Sequence, residues 1–235
     1  MQTISLLFKV LWSPAEVMFL VSKSPRALAP VLFLCLFSLV TGSLVMTKVD
    51  EADLAIKTVE RARGAELSDE SKEAVRANAN TPLSRGLTIV EKFLRPLLLI
   101  TLVTVLYFGL FSIVGREHGF KTFFSLTAFA FVPLILRELS KVITAFVVPA
   151  SSITADNLGS LSPAIFLKQD SVSPVLFAAV NMIDLVTIWI LALLTIGYGF
   201  AARKTLSKAS CAGIVIGLFL VGVIARLAFA AILSI

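Results

Sequence analysis

The sequence predicts an all-α polytopic membrane protein: a five-helix transmembrane bundle with an N-terminal interfacial helix and a helical extramembrane insert. Composition is the first reason. Of the 235 residues, 57% are hydrophobic and only 15% are charged, whereas a soluble domain has roughly 45–50% and roughly 25%. The second reason is that the apolar residues fall in long runs, and runs of about 20 residues match a hydrocarbon core about 30 Å thick.

Five such runs predict a membrane domain over residues 28–235. Its spans are residues 28–47, 96–114, 122–149, 175–201 and 209–235. The third run has two interpretations, because the charged stretch RELSK interrupts it at residues 137–141. Either one tilted helix carries a charged turn, or a span ends near Arg137 and an interfacial helix follows. Pro133 permits a kink in both cases.

Residues 1–26 precede the first span and predict an amphipathic segment. Its apolar residues recur at helical spacing and form one face: Ile4, Leu7, Phe8, Leu11 and Trp12. We expect this helix to lie in the membrane interface with Trp12 as an anchor at headgroup level. The alternative is that it packs on the protein's own bundle. Pro14 should begin a second short helix.

Two polar segments separate the spans. The insert, residues 48–95, carries nine acidic and nine basic side chains. It predicts one helix, a turn at Gly64, a second helix from Ser68 to about Asn78, and a break at Thr81 and Pro82. The polar loop, residues 150–173, offers Ser-Pro helix starts at Ser162 and Ser173.

Basic residues predict the orientation. With a cytoplasmic N-terminus, the inner segments hold eight of them, while the outer polar loop holds only Lys168. This distribution favours a cytoplasmic N-terminus and an extracytoplasmic C-terminus. The nine basic residues of the insert work against it, since acidic neighbours carry little topological weight.

Ionisable residues inside the apolar runs predict a buried polar cluster. Counted from the inner surface at about 1.5 Å per residue, three of them reach about the same depth: Arg137, Asp184 and Arg226. We expect Asp184 to pair with Arg226 or Arg137, Glu138 with the remaining cation, and Asn181 to be a neutral partner. The alternative is that the arginines snorkel to headgroups. A proton or ion pathway would need a polar lining that only scattered threonines supply.

The remaining motifs are weaker. Ala209, Gly213 and Gly217 form a small-xxx-small face, which favours packing within the chain over dimerisation and leaves a homo-oligomer open. The single histidine, His118, has no metal-ligand spacing, and no catalytic motif is present. We therefore expect neither an enzyme nor a cofactor or metal site. The basic residues are dispersed, so nucleic acid is not an expected partner.

Three segments carry a family resemblance. SPAEVMFLVSKSP, FKTFFSLTAFAFVPLIL and IDLVTIWILALLTIGYGF followed by LSKAS resemble the bacterial branch of the Yip domain family, multi-pass proteins named for interaction with Ypt/Rab GTPases. The positions that match its bacterial pattern are Asp184, Trp189, Gly197, Ser207, Lys208 and Ala209. The resemblance covers the chain except the insert. The acidic DLYGP-like segment of eukaryotic members is missing, so Rab binding is not carried over.

The resemblance implies a five-span protein without an established catalytic activity that works through partners in the lipid bilayer. In a bacterial inner membrane it would be an accessory or scaffold subunit, for example of an ABC-type export system with a periplasmic adaptor that docks on the insert. One alternative is a small-solute or ion transporter that uses the Asp184 cluster. Another is a membrane-shaping or lipid-sensing factor.

Overall fold

The computed structural model describes residues 2–63, 65–167, 172, 174–202 and 205–233. In this part of the chain all regular structure is helical and no strand occurs. The α-helices are α1 (Gln2–Lys9), α2 (Pro14–Lys23), α3 (Leu28–Met46), α4 (Glu51–Arg63), α5 (Asp69–Ala79), α6 (Pro82–Val114), α7 (Phe120–Ala130), α8 (Leu134–Val147), α9 (Pro174–Met182), α10 (Leu185–Ala201) and α11 (Lys208–Leu233).

Among the described residues, three helices are long and apolar enough to cross a membrane: Leu28–Met46, Pro82–Val114 and Lys208–Ala228. Their surfaces fit that role. On α3 every fourth residue is an exposed apolar side chain, in the series Leu28, Leu32, Leu36, Val40 and Leu44. An apolar stripe of this length facing outward is unusual for a soluble protein and is suited to lipid. The chain is therefore a multi-pass membrane protein.

The third predicted span is broken, contrary to both interpretations of it. Helix α7 ends at Ala130, and a turn of residues 131–133 leads into α8. Pro133 has no N–H to continue the helical ladder, and the Leu134 N–H bonds to the Phe131 carbonyl at 3.0 Å instead. The charged residues 137–141 interrupt nothing, because they lie inside the continuous helix α8.

The fourth predicted span is broken as well. Helix α9 ends at Met182, Ile183 and Asp184 are not helical, and Leu185 begins α10. The expectation of one helix over residues 175–201 is therefore wrong. At 17 residues, α10 is shorter than a full crossing requires.

The insert is helical, as the sequence predicted. Helix α4 ends at Arg63, and Ser68 caps α5, accepting a hydrogen bond from the Ser71 N–H at 3.3 Å. The predicted turn at Gly64 lies outside the described residues. Helix α6 begins at Pro82, next to the predicted break, and runs for 33 residues through Pro96, so residues 82–95 of the insert share one helix with the second span.

The model divides into two compact units. Unit 1 comprises Met1–Leu36, Leu94–Ile135 and Leu185–Gly222. At its centre α2 packs between α7 and α10 with Val17, Met18 and Val21 fully buried. Gly197 permits this approach, since a Cβ there would lie 3.3 Å from the Met18 sulfur. The N-terminal segment is thus partly a core element, which the interfacial interpretation did not foresee.

An aromatic cluster fills the rest of unit 1. The Tyr198 ring centroid lies 5.0–5.4 Å from those of Phe123, Tyr107 and Phe111. Both tyrosine hydroxyls are bonded: Tyr107 donates to the Val215 carbonyl at 2.8 Å, and Tyr198 lies 2.7 Å from the Thr127 hydroxyl. Thr127 donates its own proton to the Phe123 carbonyl, so Tyr198 must be the donor in that pair.

Unit 2 comprises Phe37–Phe93, Leu136–Asp184 and Val223–Ile235. Its apolar cluster joins the end of α3 to the end of α8 and the polar loop, through Val45, Val49, Ala145 and Ile153. Leu54 of α4 packs against the same cluster. The insert is therefore anchored on the ends of the apolar helices of its own unit.

Candidate functional site

The structure joins two of the predicted cluster residues, Asp184 and Arg137. The Arg137 guanidinium donates to Asp184 Oδ2 at 2.5 Å. The Asp184 side chain is 9% exposed and that of Arg137 31%. A carboxylate this buried needs a polar partner, and the guanidinium supplies one.

The break between α9 and α10 explains why an aspartate occupies position 184. Asp184 directly precedes Leu185, the first residue of α10. The first turn of a helix presents unsatisfied N–H groups and a partial positive charge, and Asp is among the residues favoured there. The same residue thus serves as a helix-start residue and as the acceptor for Arg137.

Glu138 belongs to a neighbouring polar group on α8. Lys141, one turn later, donates to Glu138 Oε1 at 2.6 Å. The Thr41 hydroxyl of α3 lies 3.3 Å from Glu138 Oε2 and also donates to the Phe37 carbonyl. Lys141 was not predicted as the partner of Glu138, although its three-residue spacing from Glu138 indicated such a contact.

Two predicted members of the cluster lie elsewhere. Asn181 accepts hydrogen bonds from the hydroxyls of Ser160 at 3.0 Å and Ser162 at 3.1 Å, and so ties α9 to the polar loop. Arg226 is exposed, and no ion pair among the described residues joins it to Asp184 or Glu138. Of the two cations offered for Asp184, Arg137 is the one the structure selects.

A second polar site fixes the insert. The Lys57 ammonium of α4 bonds to three carbonyl oxygens, those of Ala150 at 3.3 Å, Ser151 at 2.9 Å and Ile153 at 2.9 Å. These carbonyls belong to a short helical turn, Ala150–Ser152, and its end. The carbonyl of Ala150 also accepts a hydrogen bond from the Ile153 N–H at 3.3 Å, so the lysine adds a second donor there and binds the carbonyls of Ser151 and Ile153 as well. The sequence carries no signal for this contact, because nothing distinguishes Lys57 from an exposed helix lysine.

Lys92 of α6 anchors the other end of the insert. Its ammonium forms an ion pair with Glu51 at the start of α4. Its stem crosses α3 at Gly42, where an added Cβ would lie 2.7 Å from the Lys92 Cδ. A side chain at position 42 would therefore require the Lys92 stem to move. Glu51 also lies in the first turn of α4, where a carboxylate interacts favourably with the helix dipole.

Helix α5 is held by charge rather than by burial. None of its residues is buried. Lys72 pairs with Glu60 of α4 at 2.9 Å, and Arg76 pairs with Asp53 at 3.1 Å. The hydrogen bond from Lys72 lowers the pKa of Glu60, and the same bond raises the pKa of Lys72. Both directions indicate that the pair is charged across the neutral range.

The predicted helix-packing face has no partner within the described chain. Ala209, Gly213 and Gly217 are exposed, and a Cβ added at either glycine would meet nothing within 4 Å. Packing within the chain was the favoured interpretation, and it is wrong for this face. Helix α11 instead buries Cys211 and Val215.

The predicted interface anchor is exposed. Trp12 and Ile4 are 70% and 63% exposed, while Leu7 and Val10 are buried. Helix α1 and the turn after it therefore attach to the protein on one side and present apolar side chains on the other. One face of the segment thus packs on the protein, and the interfacial position of Trp12 stays a prediction.

The polar groups described above contact one another within the chain. Asp184 is already bound by a cation, and each buried side-chain nitrogen or oxygen in the described part has a hydrogen-bond partner. Among the described residues no group of three or more His, Cys, Asp or Glu side chains is placed to hold a metal ion.

Comparison with known proteins gives one match. The family model of the Yip1 domain matches residues 8–229. No curated protein and no solved structure matches the chain.

Proposed function

The chain belongs to the Yip1 domain family, and we propose that it acts in its membrane as a non-enzymatic accessory or scaffold subunit of a larger assembly. The proposal places the protein in a bacterial inner membrane. An ABC-type export system with a periplasmic adaptor is the partner that we would test first.

The observation that carries the proposal is the rigid attachment of an otherwise unburied helix. A helix that is polar all round is stable only when charge pairs or a neighbouring domain support it. Helix α5 has two ion pairs to α4, and α4 is fixed in turn by Lys57 and by Glu51. The outer face of α5, with Glu70, Glu73 and Ala77 exposed, is thereby held in one place. A fixed polar surface suits protein docking, because little ordering cost remains on binding.

The alternative, transport through the Asp184 cluster, has less support. Interrupted helices like α9 and α10 do form ion sites in transporters. Here, however, the carboxylate at the interruption already binds Arg137, a cation that belongs to the chain and does not leave. A transported ion would have to displace it.

The topology follows from the same proposal. We propose five crossings, with residues 122–149 and 175–201 each crossing once despite their breaks. The N-terminus is then cytoplasmic and the C-terminus extracytoplasmic, which leaves eight basic residues in the inner segments and one, Lys168, in the outer loop of residues 150–173.

The test is purification of the tagged full chain from its native membrane in mild detergent, with quantitative mass spectrometry of associated proteins. We expect an ABC-type transporter or adaptor subunit in fixed stoichiometry. The variant Glu70→Lys/Glu73→Lys should lose it, because the charge of the exposed α5 face is reversed. Arg226→Glu, an exposed charge reversal on α11, should keep it.

A chain that purifies alone or only with itself would overturn the proposal. Loss of the partner in Arg226→Glu but not in the α5 variant would overturn the choice of docking surface. Transport would instead be supported by solute flux in reconstituted vesicles that Asp184→Asn abolishes.

A further inference from the structure

The net charge of the protein lies in three short segments. Residues 1–27, 115–121 and 202–208, here called the three basic segments, hold eight basic and two acidic residues. The rest of the chain holds 13 of each sign and is neutral. The whole formal charge of +6 therefore comes from these segments.

All three basic segments belong to unit 1, and contacts join the second segment to the third there. The Glu117 N–H donates to the Ala201 carbonyl at 3.1 Å, and the Thr205 hydroxyl donates to the Gly115 carbonyl at 3.3 Å. Gly115 ends α6 with φ +124, a conformation that L residues rarely adopt. Arg203 and Lys204 lie outside the described residues, so only their charge enters this count.

The first basic segment also presents apolar side chains. Ile4, Phe8 and Trp12 are exposed at four-residue spacing, and Phe19 and Leu20 are exposed on α2. Leu7, Val10 and Met18, on the opposite faces, are buried in the protein. The two short helices are thus attached to unit 1 by one face. The opposite face, with Ile4, Phe8, Trp12, Phe19 and Leu20 exposed, is here called the bare face.

Of the three cations near the bare face, one is paired with a carboxylate of the described chain and two are not. Lys9 is neutralised by Glu16 at 2.5 Å, and this hydrogen bond lowers the pKa of Glu16. Lys23 and Arg26, by contrast, are exposed and have no carboxylate partner within the described residues. Lys23 lies 5.8 Å from the Phe19 ring centroid, which places one cation next to the apolar side chains.

We propose that the N-terminal helices and the three basic segments of unit 1 form a binding surface for anionic phospholipid headgroups. Two observations identify the occupant. The bare face ends at Arg26, two residues before α3, the first helix able to cross the membrane, so it lies beside the bilayer. The surface also combines exposed aromatic and aliphatic side chains with a net positive charge, the combination that binds acidic lipid surfaces.

The two tryptophans, Trp12 and Trp189, permit a direct test. The full-length Trp189→Phe variant leaves Trp12 as the only tryptophan. It is reconstituted in vesicles of phosphatidylcholine with about 20 mol% phosphatidylglycerol, a charge density typical of anionic membranes. Two vesicle preparations are compared. In one the phosphatidylglycerol carries bromine near the headgroup end of its acyl chains, and in the other an equal mole fraction of phosphatidylcholine does.

We expect brominated phosphatidylglycerol to quench Trp12 fluorescence about twofold more than brominated phosphatidylcholine, because the cations enrich the anionic lipid locally. Added salt should remove the difference by screening.

The variant Lys23→Gln/Arg26→Gln should reduce the difference in quenching between the two brominated lipids. The matched control Lys48→Gln/Arg85→Gln removes two exposed cations from unit 2 and should preserve it. Trp12→Phe, which leaves only Trp189, should show no lipid preference.

Equal quenching of Trp12 by the two brominated lipids would overturn the proposal. So would a preference that survives the Lys23 and Arg26 substitutions unchanged. Absence of quenching by either lipid would show that Trp12 faces water or protein, which also overturns it. None of these outcomes bears on the accessory-subunit proposal, which concerns α5.

Discussion

The two units bury polar groups of different kinds. In unit 1 the buried polar side chains of the described residues are hydroxyls, such as those of Tyr107, Thr127 and Tyr198, and none of its described charged side chains is buried. In unit 2 charged groups enter the interior, above all Asp184 with Arg137 and Glu138 with Lys141. Both units are parts of the same apolar chain, so the difference lies in how each holds its helices together.

The difference has an energetic meaning. Aromatic packing with satisfied hydroxyls is robust, because losing one hydroxyl removes one hydrogen bond of modest net value. A buried ion pair is fragile in a specific way: the intact pair contributes little, but removing one partner leaves an uncompensated charge. Unit 2 should therefore respond to single substitutions that remove a charge, whereas the packing of the unit 1 interior should not depend on charge.

The largest expected effect is at the Asp184 pair. Asp184→Ala and Arg137→Ala should each lower the free energy of unfolding by about 3 kcal/mol, measured by titration with SDS in mixed micelles. The double variant should recover part of the loss, because neither charge is then stranded. Arg226→Ala is the control and should stay within about 0.5 kcal/mol of the parent. Additive effects of the two single variants would contradict the pairing.

A smaller effect is expected in unit 1, at the bond between Tyr198 and Thr127. Thr127→Val should cost about 2 kcal/mol, because it strands the buried Tyr198 hydroxyl without an acceptor. Tyr198→Phe should cost only about 1 kcal/mol, since Thr127 keeps its bond to the Phe123 carbonyl. Both costs should be the same at low and high salt. The opposite ranking would mean that Thr127, and not Tyr198, is the donor.

The smallest effect is expected from the pair of Glu60 and Lys72. The folded-state pKa of Glu60 is lowered, so its contribution is present above the ordinary carboxyl pKa and is lost as the pH falls through the folded-state value. The pKa of Lys72 is raised, so its contribution disappears only in strong alkali. Limited proteolysis between α4 and α5 should accelerate in acid, and Lys72→Gln should reduce that pH dependence. An unchanged acid response in Lys72→Gln would show that other groups control it.

The sequence predicted those features that depend on local periodicity or on depth. The helices of the insert, the Ser68 cap and the start of α2 at Pro14 follow from capping and proline rules. Asp184 and Arg137 were matched by counting residues along apolar runs, since such a count approximates depth in a bilayer. The count placed Arg226 at the same depth, and the choice between the two arginines depends on how the helices pack.

The features that escaped prediction depend on tertiary contact. The interruption at Ile183 and Asp184 contains neither glycine nor proline, and only the preference of Asp for helix starts indicated it. Residues 82–95 were assigned to the polar insert and not to the second span, yet they form the first part of α6, because a helix already formed in an apolar run extends at low cost. The exposure of the α11 face at Gly213 could not be inferred, since spacing alone does not reveal whether a neighbouring helix is present.

The bonds from Lys57 to the loop carbonyls also set an order of biosynthesis. Lys57 and the first of its acceptors, the carbonyl of Ala150, are 93 positions apart. At a synthesis rate of about 5–20 residues per second, the loop carbonyls that bind Lys57 are synthesised about 5–20 s after α4. During that interval Val49 and Leu54 lack Ala145 and Ile153, the residues they pack against in the finished protein. The nascent insert is therefore exposed to chaperones and proteases until α8 has been made, and an early stop in translation would leave it without its anchor.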